Sequence, residues 1–389
     1  MTIFLRLFAE HDKTIALMES SARVREGAEE PRCLEVAPNA FDPLPGKPFA
    51  YWVSDAVRET FRSFPSFEGK GRTVRVGLQT SDDFRFVRGW WEVESASENK
   101  KWFPFAKGGA YSPFYADIHL VVNWESNGAE IVNFSDPRTN KLYSRPQNTE
   151  FYFCAGLTWT VFTTKELSVR ILPAGCVLSH VGGAAIFKDL SEAKNALALF
   201  STSAYRYLLD LTQGLADAGR RVYGVGAVGV TPFNKVSDHA QELALNAWSL
   251  KRTLDTVEET SHAFVLPAAI LCRLEGYTPA TIEIELARIQ EEIDAMGFKL
   301  YGFSEADRTA VIHARRFENS EFLDASGEDD EDSTESAADE HSALLSWAIG
   351  VAFGRFDIRL ATGERRAPPE PEPFDPLPAK SPGMLPDGD

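Results

Sequence analysis

The spacing of apolar positions changes character along the chain. The first 30 residues, with "EHDKTIALMESSARVREGAEE", read as helical and heavily charged. A Pro-rich, extended stretch follows. Ser54 then caps a short amphipathic helix that puts Val57, Phe61 and Phe64 on one face. From 72 to about 188 the period shortens. Runs such as "RTVRVGL", "HLVVNW", "EFYFCAGLTWTVFTT", "LSVRILP" and "CVLSHVGG" alternate with Gly, Pro and Asn clusters, which predicts a twisted, mostly antiparallel sheet with long loops.

Beyond 188 helical spacing takes over. "SEAKNALALFSTSAYRYLLDLTQGLA" reads as helix with a Ser191 start signal, and "RRVYGVGAVGVTPF" as a strand-and-turn break. "DHAQELALNAWSLKRTLDTVEETSHAFVL" returns to helix. The longest helical pattern begins at a Thr cap and carries Ile282, Ile284, Leu286, Ile289, Ile293 and Met296. A last apolar helix covers 344–353, and a Pro-rich, extended tail starts at Ala367. The predicted fold class is α+β. Its parts are a helical and extended lead-in (1–68), a β-rich domain (69–188), a helical domain (189–320), an acidic disordered loop (321–340), and a terminal helix with its tail (341–389).

Charge refines this division. The net charge is −17, yet 69–188 holds 14 Lys and Arg against 11 Asp and Glu, a local +3. Much of the acidity sits in "GEDDEDSTESAADE", a composition that does not bury a core. The four cysteines, Cys33, Cys154, Cys176 and Cys272, lie far apart, which argues against a zinc ribbon or a disulfide framework and fits a reducing cytoplasm. No apolar run is long enough to span a bilayer.

Few chemical motifs stand out. There is no P-loop, GxSxG, HExxH or Rossmann GxGxxG. "YGVGAVGV" reads as a sheet turn, because Pro232 cuts short any helix after it. His180 reads as a packed or surface residue of a strand. Asp83, Glu98 and Lys100 form a loose nuclease-like D…ExK pattern of the kind chance supplies. The richest stretch runs from 77 to 148. Lys and Arg there suit phosphates, amides and guanidinium groups suit base edges, and aromatic rings suit opened bases. Arg85, Arg88, Lys101 and Lys107 are the phosphate candidates, the last before two glycines of "KGGAY". Gln79, Arg145, Gln147 and Asn148 are base-edge candidates. Trp90, Trp91 and Trp102 read as core in preference to stacking platforms.

The order of blocks resembles a known family. "GLQTSDDFRFVRGWWEV", "KKWFPFAKGGAYSPFYADIHLVVNWESNGAEI" and "SRPQNTEFYFCAGLTWTVFTTKELSVRILPAGCVLSHVGGAAIF" are similar to the C-terminal, target-recognition half of PglX-type adenine-specific DNA methyltransferases of BREX phage defence. Type IIG restriction-modification enzymes are more distant relatives. "GKPFAYWVSDAVRETF", "GFKLYGFSEADR" and "LLSWAIGVAFGRFDI" extend the likeness from about residue 40 to the end. The family's pattern has Gly where this chain has Ser81, Asn where it has Asp83, and "GSSIF" where it has "GGAAIF".

The resemblance places Gly77, Thr80, Asp82, Arg85 and Phe86 at motif positions. It implies a DNA sequence-recognition module acting on double-stranded DNA. The cofactor loop and the NPPY-type motif of the family's catalytic half are not in this sequence, so no catalytic residue or metal site is expected here. S-adenosylmethionine would bind a partner methyltransferase subunit or a missing half. The alternative is an interaction module docking on other defence-complex proteins without DNA binding of its own, and a stand-alone nuclease is a third reading.

Overall fold

The computed structural model describes residues 1–7, 10–93, 101–213, 221–274, 276–312 and 337–386, the side chains of 337–340 excepted. Glu98, Lys100 and most of the acidic run lie outside the described residues.

The chain opens differently from its helical pattern. β1 (Thr2–Leu5) pairs antiparallel with β2 (Cys33–Val36) around α1 (Lys13–Arg25). Phe4 stacks on Tyr51 at 4.5 Å and meets Phe41 edge-on, so tertiary aromatic packing overrides the local helical reading at the N-terminus. α2 (Asp55–Ser63) begins where expected. Ser54 Oγ accepts from the Val57 amide, and Val57 is buried.

Two four-stranded sheets follow. β3 (Arg72–Arg75) belongs to one; after the single turn α3 (Asp83–Phe86), β4 (Val87–Gly89), β5 (Trp102–Ala106) and β6 (Leu120–Asn123) belong to the other. The short α4 (Glu125–Val132) contains three left-handed residues, Ser126, Asn127 and Gly128. Then come β7 (Gly156–Thr160), β8 (Phe162–Thr163), β9 (Val169–Leu172), β10 (Val177–Leu178) and β11 (Gly182–Phe187). The sheet order is β10-β5-β6-β4 in one and β3-β11-β7-β9 in the other; only β10–β5 is parallel within them.

β11 explains the layering. Every residue of it is buried, and its side chains alternate between two cores. Ala185 and Phe187 join Leu157, Trp159 and the helices, while Ala184 and Ile186 join Phe105, Val122 and Leu178 of the other sheet. Gly183 is required at this crossing, since a Cβ there would come within 2.4 Å of the Trp159 ring.

The helices are α5 (Leu190–Phe200), α6 (Ser203–Thr212), then after β12 (Arg221–Val222), α7 (Val225–Val230), α8 (Asp238–Leu254), α9 (Ala268–Leu274), α10 (Pro279–Tyr301), α11 (Ala337–Ala352) and α12 (Ile358–Thr362). Four readings are corrected. The cap of α5 is Asp189, whose carboxylate accepts from the Ser191 amide. The long helical run breaks at Thr202, whose Oγ1 donates to Leu199 O and accepts from the Tyr205 amide. The glycine-rich "VGAVGV" is a six-residue helix, not a sheet turn, because Val228 is buried and Gly229 packs on Val74. Thr278 precedes α10 without a side-chain cap bond.

The fold is α+β, sheet-rich first and mainly helical afterwards. The first core runs on from the sheet into α5, α6, α8 and α10, so sheet and helices share one interior across residue 188. A third, smaller core holds Phe264, Trp347, Phe356 and Leu360 near the C-terminus.

Candidate nucleic-acid interface

The site grows from a close crossing. A Cβ on Gly77 would lie 2.1 Å from Leu178 O, so glycine lets the chain run flush against β10. Gly77 N donates to Ser179 O at 3.0 Å and Leu78 N to Leu178 O at 2.7 Å. Gln79 and Arg145 then exchange both backbone hydrogen bonds, at 3.1 and 2.8 Å.

The next residues form a pedestal. Thr80 is buried and its hydroxyl donates to Asp83. Asp82 caps α3 by accepting from the Arg85 amide at 3.0 Å. Asp83 pairs with Lys107 from the neighbouring loop. Burial alone would raise the Asp83 carboxyl, but hydrogen bonds from Lys107 and Thr80 outweigh it and hold the group below its ordinary value. Arg85 donates through Nε and Nη2 to one Glu130 oxygen, at 3.0 and 2.6 Å, and lies over the Phe86 and Phe134 rings. Arg88 Nη1 donates to Phe84 O and Val87 O, and its guanidinium sits 5.9 Å from the Trp102 ring centre. Lys101 Nζ lies 5.7 Å from the same ring.

Gln79, Thr80, Arg85, Arg88, Lys101, Lys107 and Arg145 are thus linked through contacts around α3. Lys107 and Arg85 are each matched by a carboxylate. Lys101 and Arg145 are exposed and carry no ion pair among the described residues. Gln147 and Asn148 join the edge of this surface with their amides directed at protein backbone. Gln147 Nε2 lies 3.5 Å from Gly77 O, and Asn148 Nδ2 donates to Val76 O at 2.8 Å.

The tryptophans separate. Trp90 is core: it stacks on His262 at 4.3 Å and donates through Nε1 to Thr260 O at 2.8 Å. His262 Nδ1 in turn lies 3.0 Å from both Asp117 carboxylate oxygens. Trp91 is 40% exposed beside His119, and Trp102 is half-buried, so the core assignment holds in full for Trp90 alone. His180 sits in a bend between β10 and β11, with Nδ1 3.3 Å from Leu78 O.

The glycines of "KGG" have φ of 90° and 148°, accessible to glycine without strain. The Gly109 amide already donates to Thr160 Oγ1 at 3.1 Å. Beneath it lies Arg170, which sequence reading passed over. It donates to Thr160 Oγ1 at 2.7 Å and Ala110 O at 3.3 Å, and burial lowers its pKa to about 10, leaving it a cation at neutral pH. The signal available was a lone arginine in the apolar strand "VRIL".

Among the described residues no cluster of three His, Cys, Asp or Glu side chains could hold a metal. No helix there is long and apolar enough to cross a membrane. The glycine-rich 224–229 segment folds into α7 against Val74.

No family model matches the chain. A solved structure, that of the type IIL restriction-modification enzyme MmeI in complex with DNA, is similar at a TM-score of 0.41 and 13% identity, over 65% of this chain and 36% of that one. Two curated proteins are similar in sequence. The adenine-specific methyltransferase PglX of Lacticaseibacillus casei (strain Zhang) is 26% identical over 343 residues. The adenine-specific methyltransferase BrxX of Escherichia coli O9:H4 (strain HS) is 28% identical over 348 residues. Each match takes in 82% of this chain and 27% of the relative, so the chain spans about a quarter of the length of these curated relatives. The resemblance read from the sequence blocks is thereby shown: over most of its length this chain is similar to adenine-specific methyltransferases of the PglX and BrxX kind.

Proposed function

We propose that the chain is the DNA sequence-recognition part of an adenine-specific (N6) DNA methyltransferase of a BREX-like phage-defence or restriction-modification system. The observation that carries the reading is the connected surface around α3, where five cationic side chains gather, in a chain similar over 82% of its length to adenine-specific methyltransferases. Lys101 and Arg145, exposed and without an ion pair among the described residues, are the first phosphate contacts. Lys107 and Arg85 join them by exchanging Asp83 and Glu130 for phosphate oxygens. Gln79, backed by Thr80 and joined to Arg145, is the base-edge reader. Gln147 and Asn148 hold Gly77 and Val76, the segment that leads into Gln79. Methyl transfer, S-adenosylmethionine and the flipped adenine belong to a partner subunit or to another part of the methyltransferase.

The test is a fluorescence titration with duplex DNA between about 50 and 200 mM salt. With about four phosphate contacts, log K falls against log salt with a slope near −3.6. Lys101→Ala and Arg145→Ala each flatten that slope by about 0.9. Absence of duplex binding at the lowest salt overturns the proposal in favour of a protein-docking module.

A further inference from the structure

Phe84 carries the most exposed ring of the α3 surface. It is 93% exposed, more than any other large apolar side chain among the described residues. It sits in the middle of α3, and its neighbours in the chain are charged. The next residue in the core direction, Phe86, is fully buried against Phe134 at 5.3 Å, so the helical turn has one aromatic anchored below and one held out above.

The backbone under the ring is held in place. Asp82 caps the turn, Thr80 and Lys107 fix Asp83, and Arg88 grips the Phe84 carbonyl with its guanidinium 6.0 Å from the ring centre. With the backbone already fixed, only the rotamers of the side chain remain to be ordered when it meets a partner.

The surroundings select that partner. A protein-docking patch is a contiguous apolar area. Here the exposed chain neighbours of the ring, Ser81, Asp83 and Arg85, are polar or charged. A single flat ring flanked by guanidinium and ammonium groups matches a nucleobase face beside its phosphates. Apolar side chains so displayed also enter duplexes as wedges between base pairs.

We infer that Phe84 is a stacking residue, inserted at a base step of duplex DNA while Arg85, Arg88 and Lys101 contact the flanking backbone. The inference rests on the DNA-recognition reading. It gives that reading a point of entry into the duplex, and a means of bending or opening it.

The experiment compares Phe84→Ala and Phe84→Trp with the parent chain on a mixed-sequence duplex. Affinity is read by anisotropy and bending by end-to-end energy transfer. Phe84→Ala weakens binding by about five- to a hundredfold, the range that loss of one base–aromatic stack spans. It also removes the bend, and it leaves the salt slope unchanged because a neutral ring releases no counterions. Phe84→Trp binds within about threefold of the parent, since indole stacks at least as well. Melting temperatures of all three agree, the ring being solvated in the free protein. Equal affinity of Phe84→Ala and parent overturns the inference, as does a Phe84→Trp variant as weak as the alanine one. A parent chain that binds no duplex at low salt overturns the DNA reading itself, and this inference with it.

Discussion

Asn148 shows how one residue's chemistry can be legible while its addressee is not. In "SRPQNTEF" an amide ahead of a strand reads as a base-edge group. In the folded chain that amide is spent on Val76 O, 72 residues away in sequence, and the backbone at Asn148 is left-handed with φ of 54°. Asparagine tolerates that region and most residues with a Cβ do not. Asn148→Ala should therefore lose about 1 kcal/mol of hydrogen bonding and about 1 kcal/mol of backbone compatibility, some 2 kcal/mol in all. Asn148→Gly should lose only the first part. Urea unfolding of the two variants measures this; an alanine variant no less stable than the glycine one would contradict it. Arg85 and Lys107 were legible as cations in the same way, but their partners Glu130 and Asp83 come together only through the sheet. Phe84 could not be singled out at all, because "DDFRF" does not say which of its two phenylalanines points inward.

At the scale of elements, strand and helix types were legible where the pattern was long, and breaks were not. The run from 191 to 212 keeps helical spacing through Thr202, yet Gly297 of α10 packs so closely on the Thr202 side chain that a Cβ there would come within 2.6 Å of it. The break serves the helix crossing, which no local propensity records. The junction between sheet and helices carries a second consequence of packing. Asp255, just after α8, is raised to about 6 by burial, with the carboxylates of Asp117 and Glu258 adding to it. A carboxyl whose folded-state pKa lies above its unfolded value stabilises fully below the unfolded pKa and loses that contribution as pH rises through about 6. At neutral pH ionised Asp255 thus costs on the order of 3 kcal/mol. Asp255→Asn should raise the melting temperature at pH 8 and change it little at pH 4, as followed by calorimetry across that range. Asp357 works in the opposite sense: hydrogen bonds from Arg359 and Arg365 hold its carboxyl far below the usual range. Its contribution is present above the unfolded pKa and is lost as pH falls, so Asp357→Asn should destabilise the chain at pH 7 and much less near pH 2.

For the whole molecule, the proline-rich tail is the part whose role the sequence concealed. Its composition reads as an extended tail, and composition alone cannot show that it is packed. It touches all three cores in turn. Glu370 accepts from Ser249 at 2.7 Å and lies 3.6 Å from Arg252; Phe374 packs on the first core while its carbonyl accepts from the Ala174 amide; Leu377 packs on the second. Farther on, Gly383 bonds Phe264 and Asp357 through its backbone, and Met384 packs on the third core. Prolines suit such a strap, since their fixed φ lowers the entropy lost when it is laid down. Partial burial of three large apolar side chains contributes about 1 to 2 kcal/mol each, hence on the order of 4 kcal/mol for the strap. Ending the chain at Ala367 should lower the melting temperature by about 5 °C. Because the segment joins separate cores, the truncation should also split unfolding into two steps, the third core melting first. Calorimetry with limited proteolysis between 255 and 312 reads both effects. A truncated chain that melts in one step at the parent's temperature would show that the cores hold together without the strap.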